Sequence, residues 1–194
     1  MTVSIRTAEP PDAASLAQLA ARTFAETFAD GSSAADMAMH LAATYATDRQ
    51  HAEIIDPAID VLLAEADGQL IGFAQVREAP PPPCVQATAP LELWRFYVDR
   101  PWQGRGVAQS LMRAVIEATR ARAADAIWLS VWEQNARAQA FYAKCGFRQV
   151  GTKAFIVGTD EQTDWVMACA ISARDIPAGD VSAGDPSPEE DGHR

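Results

Sequence analysis

Apolar positions near the start of the chain recur at three- and four-residue steps. Leu16, Leu19, Ala20, Phe24 and Phe28 fall on one face, predicting an amphipathic helix from Ala13 to about Phe28. Pro10-Pro11-Asp12 opens it, after a short strand over Val3–Arg6. Gly31-Ser32-Ser33 punctuates, and Met37, Leu41 and Tyr45 then predict a second helix over 35–46. Asp60–Glu65 and Gln69–Arg77, joined at Asp67-Gly68, read as a hairpin. Residues 79–90 contain Pro80-Pro81-Pro82-Pro83, which cannot pair in a sheet centre and predicts a stiff exposed loop.

The second half alternates more sharply. Leu91–Asp99 reads as a strand, and Gly104–Ala121 as a helix with Val107, Leu111 and Val115 on one face. Ala126–Trp132 is almost wholly apolar, as expected of a strand covered on both sides. Asn135 is a good N-cap for a helix ending at Lys144, and Gly146 stands where a left-handed C-cap belongs. Gln149–Val157 and Trp165–Ile171 make a last pair of strands around a turn at Gly158–Asp164. Strand, helix, strand, helix, strand implies a parallel pair. The expectation is therefore an α/β fold with a mixed, largely antiparallel sheet of about seven strands, a central parallel pair and four flanking helices. One domain fills 1–173, and the Pro-, Gly-, Ser- and acid-rich segment 174–194 reads as a disordered tail.

The 194 residues carry 26 acids against 16 bases, but six of those acids lie beyond Arg174, offset there by Arg194 alone. The remainder still carries a net charge of −5, so the folded body is only mildly acidic. That balance argues against a nucleic-acid partner, which needs a concentrated basic face, and it suits a cationic substrate. No run approaches the ~18 apolar residues of a membrane span, and Met1–Arg6 lacks the layout of a signal peptide. A cytoplasmic protein is expected, with no membrane partner. Cys84, Cys145 and Cys169 are widely spaced, and His40, His51 and His193 form no metal-binding pattern, so no metal is expected.

The informative segment is Val98-Asp99-Arg100-Pro101-Trp102-Gln103-Gly104-Arg105-Gly106-Val107-Ala108, between a strand and a helix. Glycines there let backbone approach a ligand, and first-turn N–H groups with the helix dipole favour an anion such as a diphosphate. Two glycines can equally make nothing more than a tight turn. A P-loop is excluded because no Lys follows them, and a dinucleotide fingerprint because its third glycine would fall on Gln109.

Gln103-x-x-Gly106-x-Ala108, following Tyr97-Val98-Asp99, resembles the [Q/R]-x-x-G-x-[G/A] motif of the GCN5-related N-acetyltransferases. Asn135-x-x-Ala138, leading into Phe141-Tyr142-Ala143-Lys144-Cys145-Gly146-Phe147, is similar to the second signature of that family. The resemblance spans nearly all of residues 3–172. Leu91-Glu92-Leu93, Val131–Asn135, Gly158–Asp164 and Thr23-Phe24-x-x-Thr27-Phe28 look like bacterial Pai-type spermidine/spermine acetyltransferases.

The resemblance implies a splayed parallel pair and an acetyl-CoA-dependent enzyme that acetylates a small-molecule amine, a polyamine foremost, without a covalent acyl-enzyme. Peptide N-termini or lysines are the rival acceptors within the class, and a non-catalytic acyl-CoA sensor is the rival outside it. Frequent dimerisation in the family leaves a homodimer open. Main-chain amides of Gln103, Gly104, Arg105, Gly106, Val107 and Ala108 are expected to hold the coenzyme A diphosphate, with the Arg105 side chain at the rim or simply solvated. Phe96 and Val98 are expected to offer main chain to pantetheine, and Asn135 to bond its amides besides capping a helix. Tyr142 falls at the position of a general acid for the departing thiolate. Glu92 is the first candidate for the base and Glu133 the second, while Asp160, Glu161 and Asp164 are candidates for holding a distal ammonium.

Overall fold

The computed structural model describes residues 2–27, 34–157 and 160–171. Phe28, the Gly31–Ser33 break, the Gly158-Thr159 tip and the acidic tail lie outside the described residues. The strands are β1 (Val3–Thr7), β2 (Ile59–Ala66), β3 (Gln69–Arg77), β4 (Pro90–Val98), β5 (Ala126–Trp132), β6 (Arg148–Val157) and β7 (Asp160–Ala170). The α-helices are α1 (Ala13–Thr27), α2 (Ala34–Thr44), α3 (Thr47–Ile55), α4 (Val107–Ala121) and α5 (Ala136–Lys144), with single 3-10 turns before α1 and α4.

The strands form one mixed sheet in the order β1-β2-β3-β4-β5-β7-β6. Its one parallel pairing is β4 with β5, and it lasts only from Pro90↔Ala126 to Glu92↔Trp128. Beyond that row the two strands part. β4 stays on β3 as far as Val98↔Gly72, while β5 stays on β7 as far as Trp132↔Asp164. The expected splay is therefore present, and it leaves one edge of residues 93–98 facing one edge of residues 129–132. A bulge adds to it: Gln75 pairs Arg95 and Val76 pairs Leu93, so Trp94 is left over and the side-chain alternation of β4 inverts.

Two cores cover the two faces. On one, Leu111, Met112 and Val115 of α4 and Tyr142 of α5 pack on Leu91, Leu93, Ile127, Leu129 and Val131. On the other, Leu16, Leu19 and Ala20 of α1, with Tyr45, pack on Val61, Leu63 and Phe73. β5 supplies both faces, because Ile127 and Leu129 belong to the first core while Trp128 packs with Val85 and Val166 on the second face. That explains its unbroken apolar run.

Two boundaries and one element differ from the sequence expectation, which had four helices where the described residues form five. α4 begins at Val107, because Gly104 and Gly106 are both left-handed, at φ of 75° and 81°. β7 begins at Asp160, so Asp164 stands in a strand and not in a turn. The third difference is α3, which the apolar pattern leaves unassigned. Its buried face is polar, consisting of Gln50 and Glu53. Those two meet Gln75 and Arg95 of the sheet: Arg95 donates to Glu53 Oε2 at 2.6 Å, and Gln75 Nε2 donates to the same oxygen at 3.1 Å.

Candidate active site

The turn from β4 to α4 is built as an open cradle. Arg100–Trp102 makes one 3-10 turn, and Gln103 Nε2 then reaches back to donate to the Val98 carbonyl at 3.0 Å. Gly106 is the N-cap of α4, and no side chain caps the helix. Its first N–H groups are therefore free to bind, and the helix dipole makes the position favourable for negative charge. A Cβ built on Gly104 or Gly106 would meet nothing within 4 Å, so the two glycines serve their left-handed backbone and leave space in front of it. Arg105 is exposed, with its guanidinium 5.6 Å from the Trp102 ring centroid. Asp99, at the end of β4, holds Arg22 of α1 at 2.8 Å and so ties the turn to the opposite face.

The split between β4 and β5 opens toward this turn. Phe96, placed by the Trp94 bulge on the α4–α5 face, stacks on Phe141 at 5.6 Å and meets Tyr142 edge-on at 6.2 Å. Tyr142 also tilts against Phe147 at 5.7 Å. These rings close the split from the α5 side. No hydrogen bond engages the Tyr142 hydroxyl among the described residues. Burial, with the neighbouring Cys145 thiol adding to it, pushes this phenol well above its ordinary value. It therefore stays protonated and can donate. Asn135 Oδ1 accepts from the Ala138 amide at 3.0 Å, so it caps α5 and leaves its own amide nitrogen for another partner.

Glu92 sits in the last paired row of the split. Its neighbours Leu91 and Leu93 belong to the α4–α5 core, so Glu92 faces the opposite side. It is buried, and Arg77 Nε donates to its Oε2 at 2.6 Å. Arg77 also lies 3.8 Å from the Trp94 ring centroid, and Arg95 lies 3.6 Å from it. Trp94 is thus flanked by two guanidiniums, each carrying its own carboxylate: Glu92 for Arg77 and Glu53 for Arg95. The second base candidate, Glu133, is exposed in the β5–α5 loop, where its amide donates to Thr163 at 3.1 Å.

Several contributors escape a reading of the sequence. Gln139 Nε2 donates to the carbonyls of Trp132 and Glu133 at 3.0 and 2.9 Å, fixing the loop that presents Asn135. Arg77 and the Glu53–Arg95 pair are equally unannounced, because only the strand register and the bulge bring them to the split. Above them, Tyr45 is raised to about 12 by burial and Tyr97 is raised for the same reason. His40, stacked on Phe24 at 4.6 Å, is lowered by partial burial and by the Arg95 charge. Among the described residues no cluster of His, Cys, Asp and Glu has the makings of a metal site. None of their helices is long and apolar enough to cross a membrane.

A sheet whose parallel pair opens beside an uncapped helix N-terminus offers a free strand edge and an anion site side by side. Residues 16–147 match the Acetyltransferase (GNAT) family, and the chain belongs to that family. It is an N-acetyltransferase. An uncharacterized N-acetyltransferase from the pepI 3'region of Lactobacillus delbrueckii subsp. lactis is 32% identical over 156 residues, covering 77% of this chain and 86% of that protein. An uncharacterized N-acetyltransferase of Mycobacterium tuberculosis is also 32% identical over 156 residues, covering 80% of this chain and 96% of that one. The crystal structure of the PaiA N-acetyltransferase from Thermoplasma acidophilum, in complex with coenzyme A, superposes with a TM-score of 0.74 at 22% identity. It covers 88% of this chain and 99% of that one.

Proposed function

We propose that the protein moves an acetyl group from acetyl-CoA to a primary amine, a polyamine or other small amine, by direct attack of the amine nitrogen on the thioester. The observation that carries this reading is the uncapped turn at the open end of the β4–β5 split. Amides of Gly104, Arg105, Gly106, Val107 and Ala108 are suited to the diphosphate of coenzyme A, whereas the Gln103 amide, also expected there, already donates to the Arg100 carbonyl at 3.2 Å. The free edge of Phe96 to Val98 suits the amide-bearing pantetheine arm, which would pair there as an added strand does. Asn135, with its amide nitrogen uncommitted, and the Arg105 side chain complete the contacts.

In the reaction the nitrogen lone pair forms the new C–N bond and the C–S bond breaks. Tyr142 hands its proton to the departing sulfur, and the proton shed by the nitrogen goes to Glu92 on the other side of the sheet or through it to water. Glu92 is oriented for this by Arg77, which engages one carboxylate oxygen and leaves Oε1 without a partner among the described residues. The aromatic wall of Phe96, Phe141 and Tyr142 keeps water from the thioester side, where electrostatic interactions are correspondingly stronger.

Thiol release from acetyl-CoA across a panel of amines and peptides tests the reading. Turnover with spermidine or simple primary amines is expected, and it should vanish in Gly106→Glu. Binding of coenzyme A without turnover of any acceptor would favour an acyl-CoA sensor, and turnover of peptides alone would remove the small-amine acceptor.

A further inference from the structure

On the face of the sheet that carries α1 and α3, most of the buried charges near the split are already matched. Glu92 has Arg77, and Glu53 has Arg95. Asp164 does not. It lies in β7 opposite Trp132 of β5 and Lys153 of β6, on the side turned away from Trp165, which packs into the α4–α5 core. The residue is 9% exposed, yet no hydrogen bond or ion pair engages its carboxylate among the described residues. Lys153, the nearest cation across the strands, makes no ion pair with it and instead places its Nζ 5.8 Å from the Trp128 ring centroid. Two further polar atoms on the same face of β5, Trp128 Nε1 and Ser130 Oγ, are buried without a partner. The Asp164 oxygens are not sealed from solvent as those two atoms are, so an unpaired, reachable carboxylate stands on the same face as two buried polar atoms that lack partners.

We propose that Asp164 is the acceptor-recognition carboxylate of the split, taking the second, non-reacting ammonium of a di- or polyamine while the first nitrogen attacks the acetyl group. This inference rests on the acetyl-transfer reading above. The strand geometry suits it. Asp164 is one strand and two residues from Ser130, about 8 Å along the diagonal of the sheet, a span bridged by a short aliphatic diamine. Ser130 lies on the β5 edge from which β4 has parted, and Asp164 lies beyond it, so a chain entering from the β7 side would reach Asp164 with its far nitrogen. Burial, with the Glu133 charge adding to it and Lys153 opposing, raises the Asp164 carboxyl above the ordinary range. A bound ammonium would reverse that and hold it ionised.

The test uses the full chain saturated with coenzyme A, titrated calorimetrically with spermidine and with n-butylamine, in wild type, Asp164→Asn and Asp164→Glu. Thiol-release rates with the same two amines and acetyl-CoA accompany it. Wild type should bind spermidine about tenfold or more tighter than butylamine. Asp164→Asn should collapse that preference by about ten- to a hundredfold, the worth of a charge-assisted bond, with KM for acetyl-CoA unmoved, and Asp164→Glu should restore part of it. An unaltered spermidine-to-butylamine ratio in Asp164→Asn, or no preference in wild type, overturns the assignment. Thiol release with both amines at an unaltered ratio would leave acetyl transfer standing and remove only the subsite. A calorimetric preference that Asp164→Asn abolishes, with no thiol release from any amine, would do the reverse.

Discussion

Arg77 grips Glu92 by a 2.6 Å bond in the last row where β4 and β5 still pair. The carboxylate is thereby fixed at the apex of the split, one residue before the register breaks at Leu93 and Trp94. A removable salt-bridge partner makes the role of Glu92 separable from its mere presence. If Glu92 receives the amine proton, Glu92→Gln lowers kcat/KM by about a hundredfold or more and removes the acidic limb of its pH profile. Arg77→Gln keeps the carboxylate but removes the bond that orients it, and should lower kcat/KM by less than Glu92→Gln does. A pH–rate profile identical in wild type and Glu92→Gln would take the residue out of the reaction.

Tyr142 offers a cleaner separation of chemistry from packing. Its ring contacts Phe96, Phe141 and Phe147, while its hydroxyl bonds no described residue. Tyr142→Phe keeps the ring contacts and should move the midpoint of thermal unfolding by no more than a degree or two. It should lower kcat by about tenfold or more and leave KM for acetyl-CoA nearly unchanged. A fall in coenzyme A affinity instead would make the hydroxyl a binding group.

Gly104 and Gly106 share a left-handed backbone with open space before it, but they sit differently. Gly106 is the N-cap of α4, so a side chain there both strains the backbone, by about 1–2 kcal/mol, and stands over the free amides. Gly106→Ala should raise Kd for coenzyme A by about tenfold, and Gly106→Glu, which adds like charge, should abolish binding measured by calorimetry. Gly104→Ala carries the strain without a place at the helix end, and should cost stability about as much while weakening binding less.

The legible and the hidden parts of this protein differ in kind. Leu111, Val115 and the run Ala126–Trp132 announce their elements because their burial is apolar and periodic. α3 announces nothing, since what it buries is Gln50 and Glu53 against Gln75 and Arg95, and a polar buried face has the composition of a loop. The start of β7 is masked for the same reason, as Asp160-Glu161-Gln162 reads as a turn. The turn proposed to hold coenzyme A is legible as a turn, because its left-handed glycines leave a short contiguous pattern. The acceptor side is not, because the bulge at Trp94 decides which residues of β4 face Glu53, and no local pattern reports a one-residue slip of register.

The Glu53–Arg95 pair gives that hidden layer a measurable weight. Both side chains are buried, and Gln75 bonds both partners: its Nε2 donates to Glu53 and its Oε1 accepts from Arg95 at 2.5 Å. Removing one member strands the other, so Glu53→Ala or Arg95→Ala should cost about 3–5 kcal/mol in chemical denaturation. The double variant Glu53→Leu with Arg95→Met should recover most of it. If the double variant is as unstable as the singles added together, the pair is not coupled as the geometry requires.

Asp164 ties stability to function with opposite signs. Its carboxyl is raised in the folded state by burial foremost, so the fold binds that proton more tightly than the unfolded chain does. The group therefore favours folding below its unfolded value of about 3.9, and the advantage is lost as pH rises through the higher folded value. At pH 7 the charged carboxylate is a net cost to the fold. Asp164→Asn removes that cost and should raise the thermal midpoint at pH 7 while leaving it little changed near pH 3.5, each kcal/mol appearing as about 2–4 °C. Spermidine should stabilise wild type at pH 7 more than it stabilises the Asn variant, because its ammonium supplies the missing counter-charge. A midpoint that falls at pH 7 in Asp164→Asn would mean that the carboxylate is already paired inside the fold.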